Sequence, residues 1–251
     1  MLKSKISICI AGKNQCAIDA LDFLIKKKKF NLFSLPNDSD TGKNNWQSSF
    51  KKFSKSKKIK IVKLSDLCKI KKLFLFSFEY EKIININNFV SKNLYNFHFS
   101  LLPKYRGCHT NFLQIFNGEK YSGVTMHKID NGIDTGEIIY QSKFKININD
   151  TGYKNYLRLM STSVKLFKKN FNNIIRKKYI NKKQNLKKGS YFSRDSVNYS
   201  KLIHINKIYN NLSFHNKVRA LIFPPFQLPI YNGKKIIKSI YNRNKTKIYF
   251  I

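Results

Sequence analysis

The sequence predicts an α/β fold: a mostly parallel sheet covered by helices, followed by a small β-rich C-terminal segment. Three observations carry this. Short apolar runs alternate with helix-period stretches over the first two thirds of the chain, the pattern of repeated strand–helix units. One of those runs, KLFLFSF at 72–78, is apolar without alternation, as a strand buried on both faces must be. After about residue 189 the helical period gives way to strand-like runs, PIYNGKKIIKSIY and KTKIYFI, around the Pro-rich turn FPPFQLP at 223–229.

The elements follow in order. KISICIAG reads as a buried strand, and NQCAIDALDFLIKK at 14–27 as a helix with Ala17, Ile18, Leu21, Leu24 and Ile25 on one face. FNLFSLP is a second strand, NWQSSFKKFSKSKK a basic helix, KIKIVKL a third strand, 72–78 the fourth, EKIININNFVS a short helix and LYNFHFSL the fifth strand. HTNFLQIFNG reads as a short helix closed by Gly118. YSGVTMHKI and GEIIYQSKFKI are strands around the loop DNGIDTG at 130–136. A long helix over roughly 151–178 carries Tyr153, Tyr156, Leu157, Met160, Val164 and Phe167 at helical spacing, and NKKQNLKKGS reads as a linker. The expected domains are therefore 1–180, the sheet domain, and 189–251, a small subdomain that packs or dimerises through Ile236, Ile237, Ile240, Tyr241, Ile248 and Phe250.

Composition narrows the function. With 42% hydrophobic residues, 21 Phe and 14 Tyr, the chain of 251 residues fills a real core and is not a disordered polycation. Yet 49 Lys+Arg face 13 Asp+Glu, a net charge of +36. The lysines are spread along the chain (Lys26 to Lys29, Lys51 to Lys60, Lys182 to Lys188, Lys234 to Lys247) and swell together with Asn, Ile, Phe and Tyr. That is the signature of codons poor in G and C more than of one nucleic-acid groove, although such a charge still draws anionic partners. Four cysteines without a CxxC pair predict free thiols in a reducing compartment. The short apolar start, followed at once by polar residues, does not read as a signal peptide, and no run approaches the ~20 apolar residues of a membrane span. A cytoplasmic protein with no membrane partner is expected.

Among the candidate sites, GKNQ at 12–15 falls where a strand feeds a helix. It lacks G-x-G-x-x-G spacing; a helix N-terminus there can hold an anion, and a plain turn reads equally well. No nucleophile elbow, H-E-x-x-H or Cys–His signature is present. His109, His127, His204 and His215 have no sequence partner and read as surface or satisfied core residues. YNFHFSLLPKYRG at 95–107 is different. Asn96 and His98 share one face at the carboxyl end of a strand, where ligands bind in open parallel sheets. The loop at 130–136 supplies two carboxylates, Asp130 and Asp134, on a backbone bent by glycines. Asn, His and Asp without a protein nucleophile suit attack by a substrate amine on an acyl carbonyl. The amide and imidazole stabilise the oxyanion, and the carboxylate orients the imidazole or relays the amine proton through water. No metal is required.

These two segments, N-F-H-F-S-L-L-P-K-Y-R-G and S-G-V-T-M-H-K-I-D-N-G-I-D-T-G-E-I-I, resemble the folate-dependent formyltransferases. The resemblance is strong over about residues 70–170. It implies a Rossmann-like formyltransferase domain, 10-formyltetrahydrofolate as donor, and Asn96, His98 and Asp134 as catalytic residues. It further implies folate contacts along Phe76, Ser77 and Phe78, along Leu101 and Leu102, and along Ile129 to Asp134, including Asp130. Phe99 departs from the pattern, where a small residue is commoner. The first helix and the segment KVRALIFPPFQLPIYNGKK resemble the sugar-nucleotide branch, nearest to enzymes acting on dTDP-4-amino-4,6-dideoxyglucose for O-antigen or other surface polysaccharide. On that resemblance Lys13, Asn14, Trp46, Lys82 and Arg106 are expected to seat a nucleotide-linked amino sugar. The other reading on the same fold is a methionyl-tRNA formyltransferase or RNA-facing protein, for which about 60 residues beyond the linker leave little room for a tRNA-gripping barrel.

Overall fold

The computed structural model describes residues 5–251. In chain order its elements are β1 (Ser7–Gly12), α1 (Asn14–Lys27), β2 (Asn31–Pro36), α2 (Phe50–Ser56), β3 (Lys60–Ile61), α3 (Leu64–Leu67), β4 (Leu73–Phe78) and β5 (Leu94–His98). Then come β6 (Arg106–Gly107), α4 (Thr110–Phe116), β7 (Tyr121–Lys128), β8 (Ile138–Lys145), α5 (Gly152–Ile175), β9 (Tyr191–Phe192), α6 (Tyr199–Leu202), α7 (Leu212–Leu221), β10 (Ile230–Tyr231), β11 (Lys234–Asn242) and β12 (Lys245–Phe250). The chain forms two compact units that interleave in sequence. One holds the chain to His98, Val124–Gln141 and Met160–Asn185; the other holds Phe99–Gly123, Ser142–Leu159 and Leu186–Ile251.

The first unit is built on a seven-stranded sheet of order β3-β2-β1-β4-β5-β7-β8. The pairs β1–β2, β1–β4, β2–β3 and β4–β5 are parallel, and β7 runs antiparallel to β5. β1 and β4 are buried at all six positions, which is why their sequences do not alternate. On one side of the sheet Phe76, Phe78 and Phe97 pack against Phe167 of α5, with ring centroids 4.9, 5.6 and 5.8 Å away and edges turned to faces. Each such ring contributes about 1.5–3 kcal/mol by burial. Strand order reverses between β1 and β4, the switch point at whose carboxyl edge ligands bind. Gly12 is demanded there: at φ 144° an added Cβ would lie 1.8 Å from the Phe78 carbonyl oxygen, so only glycine lets the two strand ends close up.

The second unit has its own core. Phe112, Ile115, Phe214, Val218, Leu221 and Ile236 form its centre. A three-stranded sheet, β10-β11-β12, packs on α7. Leu102–Pro103 is a cis peptide.

Several local readings differ from the sequence expectation. The basic helix begins only at Phe50, because Ser49 caps it (its hydroxyl accepts from Lys52 N at 2.9 Å) and Asp40 holds the cap from the loop. Trp46 is therefore in a loop. EKIININNFVS yields one 3₁₀ turn, Ile86–Asn88, started by the Asn85 side chain. In α5 Leu159 is fully buried while Leu157 is 39% exposed. The C-terminal segment contains α7, capped by Asn211, besides its strands. Phe99 is buried after the end of β5, edge-on to Tyr156. On the C-terminal sheet Ile236 is fully buried, whereas Ile237 is 45% and Phe250 39% exposed, with a bulge between Ile236 and Lys238. Among the described residues no helix is long and apolar enough to cross a membrane.

Candidate active site

The site forms at the carboxyl end of β5. Asn96 and His98 alternate with the core residues Tyr95 and Phe97, so both face one side of the sheet. The antiparallel neighbour β7 sets Thr125 opposite His98 and His127 opposite Asn96. Directly opposed residues in such a pair bring their side chains within reach, and His127 enters the site by this register.

Asp134 is the hub. Its Oδ2 lies 3.3 Å from His98 Nδ1, its Oδ1 accepts from Asn96 Nδ2 at 3.1 Å, and the same oxygen lies 3.3 Å from His127 Nε2. The cluster is shielded: the side chains of His98, His127 and Asp134 are 8%, 3% and 12% exposed. In such a poorly solvated place each charge-assisted hydrogen bond counts for more than at the surface. The geometry also sets proton positions. A carboxylate accepts, so His98 carries its proton on Nδ1 and turns Nε2 away from Asp134. His127 Nδ1 lies 2.7 Å from the Lys128 carbonyl, which only accepts; that nitrogen is therefore an N–H donor. Its Nε2 is left facing Asn96 Nδ2 at 3.3 Å and Asp134. Neutral, His127 accepts from the amide; doubly protonated, it donates to the carboxylate.

The loop explains why Asp134 can sit there. Asp130 spends its carboxylate inside the turn, accepting from Thr135 Oγ1 at 2.7 Å and from Gly132 N at 3.2 Å. Asp134 itself has φ 54°, a conformation that costs a non-glycine residue on the order of 1 kcal/mol or more. Gly136 passes so close to β7 that an added Cβ would lie 1.8 Å from the Lys128 carbonyl oxygen. Gln184 Nε2 donates to the carbonyls of Asp134 and Gly136.

The other expected site residues are placed as follows. Phe76, Ser77 and Phe78 close β4, with Ser77 paired to Asn96 across the ladder, and Ile129 N donates to Leu94 O at 2.9 Å. Leu101 and Leu102 belong to the second unit, half-buried and buried. Lys13 and Asn14 open α1 at the switch point, where Asn14 has φ 61° and its amide reaches Glu79 Oε2 at 3.5 Å. Lys82 pairs with Asp38, whose hydrogen bond raises the lysine pKa. It lines a cleft of about 520 Å³ with Asn37, Lys51, Lys63 and Tyr80 at the carboxyl ends of β2 and β3. Trp46 is half-buried in the loop before α2. Arg106, in the second unit, sits 6.0 Å from the Tyr191 ring, and its buried Nε has no hydrogen-bond partner among the described residues.

No thiol competes as a nucleophile here. Burial and the neighbouring Glu79 push the Cys16 thiol far up, and burial does the same to Cys9. Among the described residues no group of three or more His, Cys, Asp or Glu is placed to hold a metal ion. His109 and His215 are satisfied structurally: His109 by the Arg194 carbonyl, His215 by Ser239 and the Ile148 carbonyl.

Comparison with known proteins gives the family. The formyl transferase family pattern matches residues 77–170. A crystal structure of WlaRD, a sugar 3N-formyl transferase solved in the presence of dTDP and 5-N-formyl-THF, is 44% identical with a TM-score of 0.90, covering 95% of this chain and 87% of that one. An N-formyltransferase from Helicobacter canadensis, in complex with folinic acid and dTDP-3-aminofucose, is 42% identical with a TM-score of 0.89, covering 94% and 88%. The bifunctional polymyxin resistance protein ArnA of Wigglesworthia glossinidia brevipalpis is 36% identical over 68% of this chain, which spans only 26% of that protein. Methionyl-tRNA formyltransferase of Clostridium tetani is 29% identical over 91% of this chain, or 77% of its own length. The chain belongs to the formyl transferase family. Within it, by fold and by sequence, it stands with the folate-dependent sugar N-formyltransferases.

Proposed function

We propose that this protein transfers the formyl group of 10-formyltetrahydrofolate to the amine of a dTDP-linked amino-deoxy sugar. The observation that carries the reading is the Asp134 carboxylate bound at once to His98 Nδ1 and the Asn96 amide. Attack of the sugar amine on the formyl carbon forms the new C–N bond and leaves an oxyanion. The Asn96 amide donates to that oxygen, and so does Nε2–H of doubly protonated His98, whose Nδ1–H stays on Asp134; Asn96 is released from His127 Nε2 as it turns to the new acceptor. Asp134 takes up the proton shed by the amine, directly or through water, while keeping His98 aligned. Collapse breaks the bond from carbon to the donor nitrogen, which leaves carrying the proton that Asp134 took from the amine, returned directly or through water. The amine must arrive neutral, so turnover rises with pH until the free amine predominates.

Lys13, Asn14, Trp46, Lys82 and Arg106 are proposed to seat the nucleotide sugar. The switch-point location of Lys13 and Asn14 supports the assignment. So do the three lysines of the cleft, whose charge suits a pyrophosphate. For the acceptor, an amine at C3 of the sugar is favoured over the 4-amino sugar expected from sequence. The support is that two solved relatives, at 44% and 42% identity, are a sugar 3N-formyl transferase and an N-formyltransferase in complex with dTDP-3-aminofucose. We place the product in surface-polysaccharide synthesis, the enzyme in the cytoplasm, and the active form as a homodimer. The exposed Ile237, Phe250 and Ile251 support a C-terminal interface; a monomer in sedimentation at micromolar concentration would count against it. Side-by-side incubation with dTDP-3-amino and dTDP-4-amino sugars, read by mass spectrometry, ranks the acceptors. Formylation of methionyl-tRNA in place of both would overturn the reading.

A further inference from the structure

We propose that residues 179–184, of which 181–184 read from sequence as the start of a linker, form a strap across the catalytic loop, and that Gln184 is a positioning residue for Asp134. The inference rests on the formyl-transfer reading of the site. It is carried by three anchors, one beside Asn96, one where the loop enters β8 and one on Asp134 itself.

The first anchor is a pair of phenols. Tyr179 OH and Tyr95 OH are 2.7 Å apart, and Tyr95 immediately precedes Asn96 on β5. The second is a two-way backbone bridge. Lys182 N donates to Ile138 O and Ile138 N to Lys182 O, both at 2.9 Å, where the catalytic loop enters β8. The third is Gln184. Its side-chain amide donates to Asp134 O at 2.9 Å and to Gly136 O at 2.7 Å. One NH₂ group thus spends both protons on carbonyls two residues apart, on either side of Thr135.

Asp134 needs such a hold. Its left-handed backbone is intrinsically unfavourable and persists only where the surroundings over-determine it. Asp130 pins the loop from inside through Thr135 and Gly132; Gln184 pins it from outside through the main chain. Without the outer hold the loop can relax, and the carboxylate loses its setting toward His98 and Asn96. A misplacement of about 1 Å at a reacting group costs on the order of a hundredfold in rate. The residue type follows from the task. Two carbonyls call for a side chain with at least two N–H donors at glutamine's length; glutamate offers only acceptors and asparagine is one methylene short.

The test uses the full chain and three variants, Gln184→Glu, Gln184→Met and Gln184→Lys. Hydrogen exchange of amides 132–136 is read with no substrate present. The strap predicts exchange at least about tenfold faster in Gln184→Glu and Gln184→Met than in the parent, with the strands of the sheet unchanged, and near-parent exchange in Gln184→Lys, whose ammonium can serve both carbonyls. In formyl transfer, kcat is expected to fall about ten- to a hundredfold in the first two variants, with KM for the amino sugar within about twofold, and to recover in Gln184→Lys. A purely structural role would lower the amount of folded protein or the melting temperature and leave kcat per folded molecule intact. Parent-like exchange in both Gln184→Glu and Gln184→Met overturns the strap, whatever the enzyme acts on. Faster exchange in these variants of a protein that formylates no sugar nucleotide upholds the strap and removes the functional reading.

Discussion

Asp134→Asn tests the site most sharply, because the side chain keeps its shape and loses its charge. In the parent the carboxylate accepts from Asn96 Nδ2 at 3.1 Å and from His98 Nδ1 at 3.3 Å, with His127 Nε2 also 3.3 Å away. An asparagine can accept at one atom only. Whichever way its amide turns, an NH₂ group faces either the His98 Nδ1 proton or the Asn96 amide, both of them donors. A hydrogen bond to a charged group is worth about 1.5–3 kcal/mol. One such bond is replaced by a donor facing a donor, and the other is weakened to a neutral one. We therefore expect a barrier higher by about 3–4 kcal/mol, which at 1.36 kcal/mol per factor of ten is on the order of 10²–10³ in kcat. The assay is steady-state formyl transfer at saturating amino sugar, with the melting temperature recorded in parallel. A loss of that size with melting shifted by no more than a few degrees fits the site. Turnover within about threefold of the parent, in a variant shown to be folded, would remove Asp134 from the mechanism and leave the buried cluster as a packing feature.

Further predictions address other parts of the molecule. His127→Phe keeps the ring and removes both nitrogens, so kcat is expected to fall at least about tenfold through a loosened Asn96 amide and Asp134 carboxylate; an unchanged kcat would reduce His127 to a filler. His98→Ala is expected to lower turnover by about two powers of ten or more with little loss of folding, and near-normal turnover would discard it. Lys82→Ala is expected to raise KM for the sugar nucleotide about three- to tenfold, least at high salt, with kcat unchanged; an effect on kcat alone would contradict its assignment. His215 is fully buried, and burial, with Arg219 nearby, lowers its pKa. The unfolded chain therefore binds the extra proton more readily, and stability is complete above the unfolded value of about 6.5 and lost as pH falls below it, by at most ~1.4 kcal/mol per pH unit from this group. Denaturant unfolding from pH 7.5 down to 5 should show this slope in the parent and a shallower one in His215→Phe.

Much of the first unit was legible because its signals are local. The unbroken apolar runs of β1 and β4 and the one-faced pattern of α1 follow from burial on two faces and one face. Asn96 and His98 were visible for the same reason: spacing of two in a strand fixes a shared face without knowledge of any partner. What sequence reading missed depends on pairings distant along the chain. His127 enters the site only because β7 pairs antiparallel with β5 in a register that sets it opposite Asn96, which the run YSGVTMHKI does not encode. Its spacing of two from Thr125 was the one available hint. Gln184 lay inside a lysine-rich stretch with no period. The start of α2 moved to Phe50 because Asp40, well before it in the chain, holds the Ser49 cap. Helix α7 is short and lies beside the strand-like runs that follow it, which masked it, although Asn211 ahead of it was a readable cap.

The most direct measurement is incubation of the purified protein with 10-formyltetrahydrofolate and a dTDP-linked 3-amino-deoxy sugar, followed by mass spectrometry of the sugar nucleotide. Gain of one formyl group on the sugar nitrogen, at a rate lower by about 10²–10³ in Asp134→Asn, is the expected result. An unchanged sugar nucleotide, with no gain on the 4-amino isomer either and formyl appearing on methionyl-tRNA instead, would contradict it.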